Sequence, residues 1–323
     1  MIALPEWLSP ITLPMPATRG AVNVYLVRGP DGVALVDTGM HDAQSRAALD
    51  EALAARGLAL GDVGTVVCTH YHVDHCGLGG TFLDAGAEVL MSARDAASLD
   101  VFFRDPELDG RRADFFGRHA VPAELASRVA PMFPFFRSLQ ERFAPSRAVG
   151  DGEVLSLGGV RFEALLTPGH TRGHLCLLEP ESGVLLTGDH VIPNEATQVS
   201  LREEAMGTDP IGAFLASLER VRALGPRVGL GGHGGPMEDV GARAEEVIRH
   251  HRARLDKIWD ALAPEPRAAY DVALAVFGDR RQPFAKWLAM SQTLAYLEHL
   301  VRLGRAVEVE TGATAAYARA GFR

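Results

Sequence analysis

The segment THYHVDHCGLGG places His70, His72, Asp74 and His75 together at the end of an apolar run. Imidazole nitrogens and carboxylate oxygens are the ligand types that zinc and related divalent ions take. In a loop leaving a strand, alternating His70 and His72 can point one way while Asp74 and His75, after a turn, point to an adjacent spot. Two neighbouring metal sites are the natural product. Further along come TPGHTRGH with His170, TGDH with Asp189 and GGHGGP with His233, each beside small residues. Gly169, Gly188, Gly232 and Gly234 flank these candidates, where a missing side chain lets the backbone turn or approach a bound group. The three cysteines, Cys68, Cys76 and Cys176, contain no CxxC pair, so neither a disulfide framework nor a thiolate zinc ribbon is available. Two Lewis acids would lower the pKa of a shared water from ~15.7 to about neutrality. The expected chemistry is therefore hydrolysis by a metal-bridging hydroxide, with Asp74 as the catalytic residue that also orients it.

Such ligands need strands that end together. AVNVYLVRGPDGVALVDTG reads as a hairpin, Val22 to Val27 and Val33 to Val36, around a Gly-Pro-Asp-Gly turn. Asp42 to Arg56 carries Ala and Leu at helical spacing and stops at Gly57. VGTVVCTH from Val63 is a buried strand running into the His cluster, and AEVLMS from Ala87 is another after a helical turn through Thr81 to Asp84. VLSLGGVRFEALLTPGH, HLCLLEPESGVLLTGDH and VGLGGHGGP continue the pattern, with a helix from Pro210 to Leu224 before the last. Up to Pro236 the chain alternates strands and helices, an α/β arrangement. After Met237 come helices over Val240 to Leu262, Arg267 to Phe277 and Phe284 to Leu303, then a β pair around Thr311-Gly312.

These motifs resemble the metallo-β-lactamase superfamily, whose hallmark is HxHxDH followed by a later His, an Asp and a final His. The resemblance covers roughly the first 240 residues and implies a four-layer αββα sandwich with the metals at one edge. It implies His70, His72 and His170 on one metal, Asp74, His75 and His233 on the other, and Asp189 bridging. The nearest likeness is to glyoxalase II and lactonase-like hydrolases, and the last 80 or so residues resemble the small winged-helix domain appended to some members. The implied organisation is a catalytic domain over 1–238, with a Phe-rich helical insertion at about 94–147, and a winged-helix-like domain over 239–323. The implied cofactors are two zinc ions, with iron or manganese as alternatives, and the implied substrate is a small-molecule ester, lactone or thioester. Iron-dependent persulfide dioxygenases share HxHxDH, and winged-helix-bearing relatives include endoribonucleases, so both are rival readings; a DNA-binding metal sensor is a third.

Around this set, His174 and His190 read as supports for a ligand or a loop carbonyl, because the site is already filled. Asp37, in VDTG, reads either as a residue behind the ligands or as a turn-stabilising Asp. Cys76 reads as a small buried packing residue; Asn23 and Tyr25 receive no role. More than half of the 14 Phe fall between Arg94 and Arg147. Phe102, Phe103, Phe115 and Phe116 are candidates for an apolar substrate pocket, against which stand a helical core or a homodimer contact. The formal charge of −9 argues against nucleic acid as a partner. From Val240 onward, 13 Lys and Arg stand against 10 Asp and Glu, too small a surplus for a DNA-reading helix. No apolar run approaches the ~18 residues of a membrane helix. MIALPEWLSPITLPMPATRG lacks a basic start and a continuous apolar stretch, so no signal peptide is read and the expected compartment is the cytoplasm.

Overall fold

The computed structural model describes all residues except 1, 17–19, 106, 202–204, 206, 264, 281 and 322–323. By its internal contacts the chain falls into two compact units, each discontinuous in sequence: residues 1–104, 136–197 and 217–245 form the first, and 105–135, 198–216 and 246–323 the second.

The first unit holds two sheets. One runs β1 (Leu8–Met15), β2 (Gly20–Gly29), β3 (Gly32–Val36), β4 (Val63–Val67), β5 (Glu88–Ser92) and β6 (Arg147–Val149) in that spatial order. The other contains β7 (Val154–Leu157), β8 (Val160–Leu166), β9 (Leu175–Glu179), β10 (Val184–Gly188) and β11 (Val228–Gly231), ordered β11-β10-β9-β8-β7. Val27, Val36, Val67 and Leu90 from the first sheet share one apolar cluster with Phe162, Leu177 and Leu186 from the second. The opposite face of the first sheet, with Leu13, Val24, Leu35 and Val66, packs under helices α1 (Ala43–Ala54), α2 (Val73–Cys76), α3 (Gly79–Asp84) and α4 (Ala93–Arg104) through Leu49, Cys76, Phe82 and Leu99. After α5 (Leu108–Arg118), α6 (Ala123–Val129) and α7 (Met132–Ser138), α8 (Pro210–Leu224) is tied to the second sheet. There Ser217 Oγ donates to Pro168 O and Arg220 to Leu166 O. This is the mixed α/β, αββα architecture expected.

Strand direction decides where the ligands come together. β3, β4 and β5 are parallel, so the residues after each emerge at one edge. β10 and β11 are also parallel, and β8 runs the same way because β9 is antiparallel to both of its neighbours. Each carboxyl end therefore delivers a loop: Asp37 after β3, His70 after β4, His170 after β8, Asp189 after β10 and His233 after β11. Strand β1 has no counterpart among the sequence expectations, because Pro10 and Pro14 interrupt its pattern; it is an edge strand, where a missing N–H is tolerated.

Helix α9 (Val240–Ala261) begins in the first unit and continues into the second, where it is followed by β12 (Arg267–Ala268), α10 (Ala269–Phe277), α11 (Pro283–Arg302), β13 (Ala306–Thr311) and β14 (Thr314–Arg319), with sheet order β12-β14-β13. His119, at the end of α5, is fully buried against the Phe115 ring (4.8 Å between centroids), and neither ring nitrogen has a hydrogen-bond partner. Burial, reinforced by Arg118, pushes its pKa down to about 4. A histidine that ionises less readily when folded contributes stability above its unfolded pKa near 6.5, and that stability is lost as pH falls toward the folded value. His119→Leu is therefore expected to flatten the acid limb of stability by on the order of 2–3 kcal/mol. Urea unfolding of both proteins from pH 7.5 down to 4 checks this, and parallel curves would refute it.

Candidate metal centre

Helix α2 begins directly after His72, whose backbone is still extended, so Asp74 and His75 turn back on the first helical turn while His70 and His72 stay on the loop after β4. The structure brings all seven candidate ligands together at the carboxyl edge of the sandwich. His72 Nδ1 lies 3.0 Å from both His70 Nε2 and His170 Nε2. His233 Nε2 is 3.4 Å from Asp74 Oδ2 and 3.5 Å from Asp189 Oδ2. His75 Nε2 lies 3.7 Å from Asp74 Oδ2 and 3.4 Å from Asp189 Oδ1. Among the described residues, three groups could each hold an ion: His70, His72 and His170; Asp74, His75 and His233; and His70, His75 and Asp189.

The fit to a metal can be tested on the side chains themselves. Two atoms each about 2.0–2.1 Å from one zinc lie no more than about 4.2 Å apart, and every separation above is shorter. His75 Nε2 and Asp189 Oδ1 are buried yet lack a hydrogen-bond partner, a costly arrangement for two polar atoms unless a third group serves them. A Cβ on Gly232 would stand 2.5 Å from the His75 ring and 2.6 Å from Asp189 Oδ1, so no larger residue leaves this space open. The donor set and its geometry suit divalent metal ions.

The ring nitrogens that face away from this space are held by the protein. Asp37 Oδ2 accepts from His75 Nδ1 at 2.7 Å and from Thr69 Oγ1 at 2.9 Å, while Oδ1 accepts from Thr69 N–H at 2.7 Å. With its own proton committed to Asp37, Thr69 Oγ1 accepts from His70 Nδ1 at 3.0 Å. One carboxylate thereby sets the tautomers of a histidine in each outer group, leaving Nε2 of both as a lone-pair donor. Asp37 has φ +63°, an uncommon backbone for a residue other than glycine that Asp tolerates better than most. Its side chain thus bonds Thr69 and the candidate ligand His75.

His174 has both ring nitrogens engaged: Nδ1 donates to Thr167 Oγ1 (2.9 Å), and Nε2 accepts from Asp189 N–H (3.1 Å). Burial keeps it neutral, well below the usual histidine range. His190 is buried with its ring 6.0 Å from that of His174, outside the three ligand groups, and burial lowers its pKa to about 3. His70 is held well below its usual value by burial and by His75, His72 and His170 around it. Burial would raise Asp189, but His75 and His233 outweigh it and hold the carboxylate well below its normal range. Cys76 accepts a hydrogen bond from Gln140 Nε2 at 2.7 Å, and burial pushes its thiol well above the usual range.

Two clamps escaped the sequence reading. Asn23 Nδ2 donates to Gly231 O (3.2 Å) and Gly234 O (2.8 Å), and Tyr25 Oη donates to Gly231 O (2.6 Å). With His233 Nδ1 donating to Ala21 O at 2.7 Å, β2 holds the His233 loop at several points. An amide and a phenol within an otherwise apolar strand were the signal, since buried polar groups need partners. Asp95 carried no such signal; it is fully buried and accepts from Tyr71 N–H, Thr171 Oγ1 and Gly173 N–H. The four aromatic candidates divide between the units. Phe102 and Phe103 stand on α4, Phe103 against the core of the first unit and Phe102 under the Arg137 guanidinium. Phe115 and Phe116 are buried in the second unit, where Phe116 and Phe133 line a cavity of about 260 Å³ with Arg112.

Comparison with known proteins agrees with this geometry. A relative from Bacillus subtilis (strain 168) named "Probable metallo-hydrolase YqjP" is 30% identical over 309 residues, covering 90% of this chain and 91% of that protein. An atrochrysone carboxyl ACP thioesterase of Aspergillus fumigatus is 27% identical over 201 residues, 62% of this chain and 47% of its own length. A solved metallo-beta-lactamase family protein of Thermus thermophilus superposes with a TM-score of 0.84 at 34% identity, covering 98% of this chain and 100% of that one. The family described as "Metallo-beta-lactamase superfamily" matches residues 17–249. With the HxHxDH loop and the later His, Asp and His converging at one sandwich edge, the chain belongs to the metallo-beta-lactamase superfamily of metal-dependent hydrolases.

Proposed function

We propose that the protein is a dinuclear zinc hydrolase of a small-molecule ester, lactone or thioester. His70, His72 and His170 would hold one ion, Asp74, His75 and His233 the other, and Asp189 would serve both. One observation carries the reading: Asp189 Oδ2 lies 3.6 Å from His170 Nε2 and 3.5 Å from His233 Nε2, a single oxygen within reach of both groups. When bound, the ions would polarise the substrate's carbonyl and make water nucleophilic near neutral pH.

The chain's own residues then have defined tasks. Asp74 offers Oδ2 to the ligand group, leaving its second oxygen to accept a hydrogen bond from the attacking water and fix its direction. Asp37 and Thr69 keep His70 and His75 in the tautomer that points a lone pair inward. His174 holds the backbone of Asp189 through the N–H it accepts. The thioester class is supported by the relative named as an ACP thioesterase, and zinc by the predominance of imidazole among the donors, a ligand type that zinc shares with iron, copper and nickel. The α-β-α-α-β-β order from Val240 onward supports a winged-helix-like region, and its surplus of only three basic residues, 13 against 10, supports packing over DNA reading.

Purified protein loaded with zinc and assayed against thioesters, lactones, aryl esters and phosphodiesters tests the proposal. Turnover of a carbonyl substrate is expected. Oxygen uptake on glutathione persulfide by an iron-loaded protein, or salt-sensitive cleavage of RNA alone, would replace the hydrolase reading with one of its rivals.

A further inference from the structure

We propose that Asp95 is the positioning residue of the three-histidine group: it locks the loop carrying His70 and His72 to the loop carrying His170, and so sets the affinity for one ion without governing the other. The inference rests on the two-ion reading above. Asp95 lies in the first turn of α4, just past β5, and its side chain is buried. Oδ2 accepts from Tyr71 N–H at 3.2 Å and from Thr171 Oγ1 at 2.6 Å, while Oδ1 accepts from Gly173 N–H at 2.6 Å. Tyr71 sits between His70 and His72, and Thr171 follows His170, so each loop is gripped beside its ligand.

The close approach is built in. A Cβ on Gly173 would stand 2.1 Å from Ser92 Oγ and 2.7 Å from Asp95 N, so the His170 loop reaches the carboxylate only because residue 173 has no side chain. Ser92 Oγ in turn accepts from Asp95 N–H at 3.3 Å. The other group has separate anchors. The His233 loop is held by Asn23 and Tyr25 on its backbone carbonyls and by Ala21 O on His233 Nδ1, and His75 is held by Asp37. Removing the Asp95 carboxylate would leave two N–H groups and a hydroxyl unpaired in the interior, and the two loops would move apart to satisfy them.

The full chain and its variants are titrated with zinc in competition with a chromogenic chelator, counting equivalents and their affinities. The wild type is expected to bind two; a wild type that never binds two refutes the two-ion reading itself. In Asp95→Asn, which keeps the shape but presents an amide where only acceptors fit, one equivalent is expected to weaken roughly 10- to 100-fold while the other holds. Adding His170→Ala to Asp95→Asn should then leave the strong equivalent in place, whereas adding His233→Ala should remove it. Thr171→Val deletes one hydrogen bond from the same link and is expected to weaken the same equivalent less, which keeps the test available should Asp95→Asn not fold. Equal weakening of both equivalents, or of neither, in a folded variant overturns the assignment.

Discussion

With Asp189 replaced by Ala, turnover under zinc-supplemented conditions is expected to fall at least about 10³-fold, roughly 4 kcal/mol of activation free energy. The reason is position. Its Oδ2 is within 3.6 Å of both His170 and His233, and its Oδ1 faces His75 at 3.4 Å, so this one carboxylate touches both outer groups. The loss should appear in metal content as well as in rate. Without that carboxylate, the imidazoles of His70, His72, His75, His170 and His233 face a space with only Asp74 to balance charge. Asp189 is placed by its neighbours, His174 on its N–H and Thr197 Oγ1 on its carbonyl, so deleting the side chain removes ligand atoms without removing the loop. Circular dichroism and thermal melting should show a folded protein. A variant that retains about a tenth or more of wild-type kcat, a loss of only about 1.4 kcal/mol, would show that Asp189 is dispensable.

The second large effect is expected at Asp74. Asp74→Asn preserves the size of the side chain but exchanges an ionised acceptor for a neutral amide, one end of which can only donate. The carboxylate is held below its ordinary pKa even though burial opposes ionisation, with His75 and His233 supplying the compensation. General-base and orienting groups typically contribute about 10²- to 10⁴-fold, and a decrease in kcat of that size is expected, with KM changed far less. Steady-state kinetics with zinc in excess separates the two parameters. A rise in KM with kcat intact would make Asp74 a substrate-binding group instead.

What was legible beforehand follows from the physics of each feature. Metal-ligand chemistry uses few residue types at tight spacings, so His70, His72, Asp74 and His75 announced themselves within one loop. His170, Asp189 and His233 did so beside glycines at strand ends. The α/β order was readable because apolar runs and Gly-containing turns are local signals. Residues that hold the ligands were harder to see. Asp95, Thr69 and Thr167 act on backbone and side-chain atoms brought near by folding, and nothing in their spacing distinguishes them from ordinary polar residues. Asn23 and Tyr25 showed only that a buried strand carried polar groups in need of partners. The aromatic segment between 94 and 147 is another case of long-range grouping: Phe103 packs into the first unit and Phe116 into the second, a division set by contacts far along the chain.

On the proposed reading, one edge of the sandwich holds two ions on separate ligand groups. Crystals of the zinc-loaded protein, measured at the zinc absorption edge, would locate them. The expected anomalous map shows two peaks, one among His70, His72 and His170 and the other among Asp74, His75 and His233, with Asp189 between them. A single peak, or peaks away from these side chains, would contradict it.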